Sequence, residues 1–172
     1  MIINKNKGIL FRISGLPGSG KTRLARKLLP GIRKKFGPTI MWSGDDIRRI
    51  FKNRKYTAKE RIKFGIKIIK LIKFITNQKI NVIFATVGLE ENTRKLTKKN
   101  INNYLEIFIK ADIAKLKKLK MRKFYNDGSK NVWGKDIKAE FPKKPHIRIF
   151  NNFKTNLNKI TQEIITKIDK II

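Results

Sequence analysis

The sequence predicts a three-layer α/β/α fold around a central, mainly parallel five-stranded sheet. Three observations predict it. Apolar runs alternate with stretches of helical spacing along the whole chain. A glycine-rich segment, Gly15-Leu16-Pro17-Gly18-Ser19-Gly20-Lys21-Thr22, joins the first apolar run to the first helical one. The chain has 172 residues, enough for one domain with a real hydrophobic core. Residues 1–172 are expected to form that single domain, without repeats.

The elements follow in order. Ile9–Ser14 reads as the first strand. The helix after the glycine-rich turn is expected to fade near Pro30-Gly31, because proline lacks the helical N–H donor. Thr39–Trp42 is a short second strand and Asp45–Phe51 a helix. Thr57 is placed to cap a long helix through Phe74, with Glu60 three residues on as in a capping box. Ile62, Ile66, Ile69 and Ile72 recur there at helical spacing and are expected in the core. Asn81–Val87 is the most strand-like run, followed by a helix over Glu90–Asn100. Tyr104–Lys110 is another strand, and residues 113–124 form a basic helical stretch. Residues 126–145, punctuated by Gly and Pro, read as a loop or lid. Ile147–Phe150 is a last short strand and Asn156–Ile172 a closing amphipathic helix.

Composition narrows the function classes. The 43 Lys and Arg against 12 Asp and Glu give a formal charge of +31, which points to an anionic partner: nucleotide, nucleic acid or acidic membrane. The lysines are spread along the chain and accompany abundant Ile and Asn, as an AT-rich coding bias would produce. Salt dependence of binding separates bias from polyanion recognition. The absence of cysteine excludes disulfides and thiolate metal sites and suits a reducing compartment. No apolar run reaches bilayer length, and Met1–Gly8 is too polar for a signal peptide. The expectation is a cytoplasmic protein with no membrane partner.

The segment Gly15–Thr22 fits G-x-x-x-x-G-K-[ST] in full, in the strand–turn–helix context that motif requires. Its glycines let backbone N–H groups converge on a phosphate with no Cβ in the way. The helix N-terminus adds unpaired donors and a positive dipole end. Gly15, Leu16, Pro17, Gly18, Ser19 and Gly20 are thus candidate phosphate ligands, with Lys21 on the β- and γ-phosphates and Thr22 on Mg²⁺. ATP and Mg²⁺ are the expected cofactors. The motif alone does not separate a GTPase or ATPase from a small-molecule kinase.

A second motif does more. Ser43-Gly44-Asp45-Asp46-Ile47-Arg48 follows the second strand, at the sheet edge where open α/β folds bind ligands. Asp45 is the candidate to take a proton from an acceptor hydroxyl or hold a Mg²⁺ water. Arg48 is suited to grip an anionic acceptor. Capping of the next helix by Asp45 or Asp46 is the plainer reading, and the two are compatible. His146, the only histidine, lacks partners for a metal site and reads as structural filler. Lys115, Lys117, Lys118, Lys120 and Lys123 form either a solvated face or a phosphate-facing lid.

These segments together resemble the adenylylsulfate (APS) kinase family, over nearly the whole chain. Gly15–Thr22 matches its phosphate loop, and Gly44-Asp45 with Ile47-Arg48 resembles its D-G-D-N-[IV]-R stretch. Residues Tyr56–Arg61 resemble its F-S-x-x-D-R segment. Asn103–Lys110 is similar to its N-Y-x-E-I-[FY]-[IV] strand, and Asn131–Pro142 to its G-[IV]-D-x-x-x-E-x-P segment. The resemblance implies a phosphate-loop kinase architecture with a small lid at about 113–145. It also implies transfer from MgATP to the 3′-hydroxyl of adenosine 5′-phosphosulfate, as in sulfate assimilation. Lys21 and Asp45 would be catalytic, with Thr22 and Asp45 at the metal. Arg48 and Arg61 would hold the acceptor's phosphate or sulfate, Tyr56 would pack on its base, and Thr86 and Val87 would lie in the acceptor loop. Arg122 and Trp133 would serve ATP, Arg122 from the lid and Trp133 over a nucleotide base; a loop anchor is the plainer role for Trp133. A homodimer is a candidate assembly.

The departures from the family pattern lie on the acceptor side and lid. Ser43 replaces an aspartate, Asp46 and Phe64 each replace an asparagine, and Gly88 replaces a loop serine. Leu119-Lys120 stands where an Arg-Asp pair is expected, and only Arg122 and Tyr125 keep the lid's character. Two other functions therefore stay open. One is a related kinase of another activated nucleotide, such as a cytidine diphosphate derivative in surface-sugar decoration. The other, motivated by charge, is a polynucleotide kinase or nucleic-acid-binding ATPase.

Overall fold

The computed structural model describes residues 3–118, 125, 128–154 and 156–172. Five strands form one sheet: β1 (Ile9–Gly15), β2 (Thr39–Ser43), β3 (Asn81–Ala85), β4 (Asn103–Ala111) and β5 (Ile147–Asn151). Their order is β2-β3-β1-β4-β5, and every pair is parallel. β1 therefore lies at the centre, buried along its whole length, as a strand covered on both faces must be. Its odd residues Ile9, Phe11 and Ile13 pack with helices α1 (Lys21–Phe36) and α6 (Leu157–Ile171). Its even residue Leu10 packs on the other face with α2 (Gly44–Ile50) and α3 (Ala58–Thr76), and α4 (Glu91–Asn100) lies beside α3. The three layers and the strand count are as the sequence predicts; the sheet is wholly rather than mainly parallel.

Helix α1 does not fade at Pro30-Gly31 but continues to Phe36. Leu28 and Ile32 on either side are fully buried, and Phe36 packs on Phe11 with ring centroids 5.8 Å apart. Gly31 faces Ile165 of α6 so closely that a Cβ would lie 2.4 Å from its Cδ1. This packing outweighs the cost of roughly 3 kcal/mol for an internal proline. The helix stops at Gly37, at φ +86.

Two further expectations change in α3. Thr57 caps it by accepting from the Glu60 N–H at 3.4 Å, but the Glu60 carboxylate pairs with Lys63 at 3.7 Å instead of returning to the cap. The core stripe starts later than expected. Ile68, Ile69 and Ile72 are buried, whereas Ile66 is exposed and Ile62 half-buried, so the buried residues of α3 fall in its second half. Strand β3 ends at Ala85, which leaves Thr86 and Val87 in the following loop. Of the basic stretch, α5 spans Ile113–Lys118, anchored by buried Leu116 with Lys115, Lys117 and Lys118 exposed. Leu119, Lys120, Arg122 and Lys123 lie outside the described residues.

His146 is indeed structural. Its Nδ1 accepts the Glu106 backbone N–H at 3.0 Å, and its ring meets Tyr104 edge-on at 6.0 Å. Only the neutral ring can accept that bond, and desolvation holds its pKa below the ordinary 6.5. A depressed pKa contributes stability above the unfolded value that is lost as pH falls through the folded one. Thermal melts between pH 8 and 5 should thus show a drop in the wild type that His146→Gln flattens; parallel curves would remove the role.

Candidate active site at the phosphate loop

The phosphate loop is built by close backbone approach. At Gly15, where φ is +153, a Cβ would lie 2.6 Å from the Ile109 carbonyl oxygen and 2.8 Å from Ser19 Oγ, so no other residue fits. Gly18 and Gly20 also have positive φ, and Gly20 caps α1 with no side chain over the first turn. Tyr125 Oη donates to the Pro17 carbonyl at 3.1 Å, and Asn151 Nδ2 donates to the Ser19 carbonyl at 2.9 Å. These two braces, from the lid side and from β5, were not legible in sequence, since neither lies near the loop along the chain. Lys21 is buried, with Nζ donating to the Leu16 carbonyl at 2.7 Å. Burial pulls its pKa down to about 8, and the charge of Asp45 opposes the shift.

Two clefts meet at this loop. One, of about 770 Å³, runs from Lys21 and Thr22 past Asp45 to Arg48 and Arg61. The other, of about 1040 Å³, runs from Gly20 and Thr22 toward Asn151 and Phe153 at the end of β5. The loop therefore stands between two chambers, the arrangement required to bring a donor and an acceptor together.

The capping question is resolved at α2. Ser43 is the cap: its Oγ accepts from the Asp46 N–H at 3.1 Å. Asp46 Oδ2 returns the bond, accepting from the Ser43 N–H at 2.9 Å and its hydroxyl at 2.7 Å. The Ser43 hydroxyl, first among the causes, holds the Asp46 carboxyl below its ordinary pKa. Ser43 and Asp46, both departures from the family pattern, thus compensate each other as a capping box. Asp45 is left uncommitted: it lines the first of these clefts and has no hydrogen bond or ion pair among the described residues. Its charge is felt at both Lys21 and Arg48.

Opposite Asp45, aromatic rings and guanidinium groups alternate. Arg48 Cζ lies 5.0 Å from the Phe64 ring centroid and 4.7 Å from that of Tyr56. Arg61 Cζ lies 5.3 Å from Tyr56 and 5.9 Å from Trp133. Such stacking suits arginine, whose guanidinium is planar and weakly hydrated. Backbone carbonyls steady both: Arg48 donates to Lys55 at 3.1 Å, and Arg61 to Tyr56 and Asn131, each at 2.7 Å. Neither forms an ion pair with a described carboxylate. Burial lowers both pKa values, and for Arg61 the neighbouring Arg48 adds to it. Phe64, another departure, is thus the outer plate of this stack.

Trp133 both lines the first cleft and is built into the core. It is 6% exposed and packs in a cluster with Leu16, Tyr125 and Val132, which makes it a loop anchor. Its contact with Arg61 puts it at the end of the stack of Arg48, Tyr56 and Arg61. Arg122, the lid cation expected near ATP, lies outside the described residues. Thr86 and Val87 do line the first cleft, carried along β1 by bonds from Thr86 N–H to the Ile13 carbonyl at 2.9 Å and from Gly15 N–H to the Val87 carbonyl at 3.4 Å.

Sequence reasoning missed Arg12 and Glu106. Arg12 also lines the first cleft and pairs with Glu106 at 2.8 Å. The signal existed: Arg12 is the one charge in β1, and Glu106 stands between apolar neighbours in β4.

Comparison with known proteins agrees with this geometry. Residues 7–150 match the Adenylylsulphate kinase family. The chain is 30% identical over 168 residues to a cytidine diphosphoramidate kinase of Campylobacter jejuni, covering 95% of this chain and 98% of that one. It is 23% identical over 154 residues to an adenylyl-sulfate kinase of Pseudomonas aeruginosa, covering 86% and 79%. In fold it superposes on the APS kinase of Mycobacterium tuberculosis solved with AMPPNP and APS, with a TM-score of 0.83 at 17% identity, over 95% and 98% of the two chains. With the phosphate loop, the two clefts and a match that spans most of its length, the chain belongs to the adenylylsulphate kinase family.

Proposed function

We propose that this chain transfers the γ-phosphoryl group of ATP to a hydroxyl of a nucleotide-activated small molecule. One observation carries the reading: uncommitted Asp45 and two arginines without carboxylate partners among the described residues face Lys21 and Thr22 across one cleft. Unpaired, half-buried guanidinium groups suit an acceptor that brings its own negative charge. Arg48 and Arg61 would hold its phosphate or sulfate and Tyr56 its base. Asp45 would take the hydroxyl proton as the oxygen bonds to phosphorus and the bond to the ADP oxygen breaks. Lys21 would stabilise charge on the transferring group. No cluster of three or more His, Cys, Asp or Glu exists among the described residues. Thr22 and Asp45, with phosphate oxygens and water, fit Mg²⁺, which rarely takes an all-protein cage. When bound, that ion would neutralise charge on the β- and γ-phosphates. The segment at 113–145 would act as the lid, a role supported by the Tyr125 bond to the loop and the Trp133 contact with Arg61.

Two acceptors fit this chemistry, adenosine 5′-phosphosulfate and a cytidine diphosphate derivative. We favour the second. Phe64 and Gly88 depart from the APS kinase pattern at positions built into the acceptor wall, and the Campylobacter relative acts, by its name, on cytidine diphosphoramidate. A panel of purified protein, ATP and each nucleotide decides it. Turnover at least tenfold faster with the cytidine diphosphate derivative is expected; faster turnover with adenosine 5′-phosphosulfate reverses the assignment, and none with any nucleotide removes the kinase reading.

A further inference from the structure

The buried pair Arg12–Glu106 sits where a core strand would ordinarily carry apolar side chains. The two residues are direct register partners on β1 and β4, 2% and 6% exposed. A buried pair of this kind is weak evidence for stability, because desolvation cancels much of the attraction. What it holds is more informative. Arg12 Nη1 donates to Glu106 Oε1 at 2.8 Å, and Nη2 donates to the Gly88 carbonyl at 2.7 Å. Gly88 follows Thr86 and Val87 in the loop that lines the cleft holding Asp45. That loop also abuts α2: a Cβ on Gly44, the residue before Asp45, would lie 3.6 Å from Thr86 Oγ1. Gly88 has φ +45, and a Cβ there would lie 2.2 Å from Arg12 Nη2 and 3.1 Å from Cζ. The missing side chain at position 88 and the arginine at position 12 are therefore complementary: the guanidinium fills the space that any side chain would need.

We infer that Arg12 is a positioning residue, oriented by Glu106, which through the Gly88 carbonyl fixes the 86–89 loop against the Asp45 end of α2. It thereby sets the acceptor's placement and leaves the donor nucleotide untouched. The catalytic part of this inference rests on the kinase reading above; the structural part does not.

The test pairs Arg12→Met with Glu106→Gln, which removes the buried charge as a neutral couple and so spares the fold. Amide exchange at Val87–Leu89 should rise about tenfold or more as a held loop becomes free to open. ADP affinity should stay within about twofold. Acceptor kcat/KM should fall about 10- to 100-fold, the range expected for misplacement near 1 Å. Gly88→Ala should reproduce these effects in the wild-type background and add little in the Arg12→Met/Glu106→Gln background, since residues in contact are not additive. A folded double variant with unchanged loop exchange overturns the inference, as does a Gly88→Ala effect of equal size in both backgrounds. If the double variant does not fold, Gly88→Ala alone is read against the same outcomes. If no nucleotide in the acceptor panel turns over, the kinase reading fails, and loop exchange still decides whether Arg12 holds the loop.

Discussion

Lys21→Ala is expected to reduce phosphoryl transfer by about 10³-fold or more, since even one lost stabilising donor costs about 10²–10³. The same change should not harm stability in proportion. The Lys21 ammonium is buried, and its pKa falls from 10.5 to about 8. That shift corresponds to roughly 3 kcal/mol of disfavoured charge burial. Lys21→Met, which keeps the aliphatic stem, should therefore melt at or above the wild-type temperature while being inactive. The sign with pH follows. A lysine whose folded pKa lies below its unfolded one destabilises the fold at neutral pH, and this cost is relieved as pH rises from 8 toward 10.5. Nucleotide binding runs the other way. A triphosphate favours the ammonium, so ATP affinity should weaken as pH climbs through 8, and the Lys21→Met variant should lose that dependence. Titration calorimetry at pH 7 and 9.5 reads it directly; a wild-type affinity that is flat across this interval contradicts the role of burial.

Asp45→Asn is expected to slow the chemical step by about 10²–10⁴-fold, the range for losing a positioned general base, with ATP affinity changed only a few-fold. The amide keeps the shape of the side chain but cannot take the hydroxyl proton. Because Ser43 and Asp46 already cap α2 between themselves, the substitution should leave the helix and the melting temperature intact. Single-turnover kinetics at saturating ATP separate the two effects, and full turnover in this variant would show that Asp45 has no part in the chemistry.

What was legible in the sequence depended on how local its cause was. The phosphate loop was legible because a strand, a turn and a helix adjoin along the chain. Asp45 and Arg48 were legible because they follow β2 at the sheet edge. The continuation of α1 through Pro30 was not, because its cause is Ile165 on α6 and the burial of Ile32. Ser43 and Asp46 looked like losses from a motif until their reciprocal bonds showed a cap. Trp133 carried two readings, and its packing with Leu16, Tyr125 and Val132 was visible only in three dimensions. Arg12 and Glu106 were visible as charges among apolar strand residues, but their contacts with each other and with Gly88 span 76 to 94 residues, so the pairing itself was beyond any local pattern.

The stack of Phe64, Arg48, Tyr56, Arg61 and Trp133 also separates speed from choice. A formal charge of +31 draws every polyanion toward the surface alike, by a field that salt screens over about 10 Å at 0.1 M. The two guanidinium groups between rings are set back from that field and held at fixed spacing, where ionic strength matters far less. Added salt should thus slow the arrival of all nucleotides together while their ranking at the cleft stays as it was.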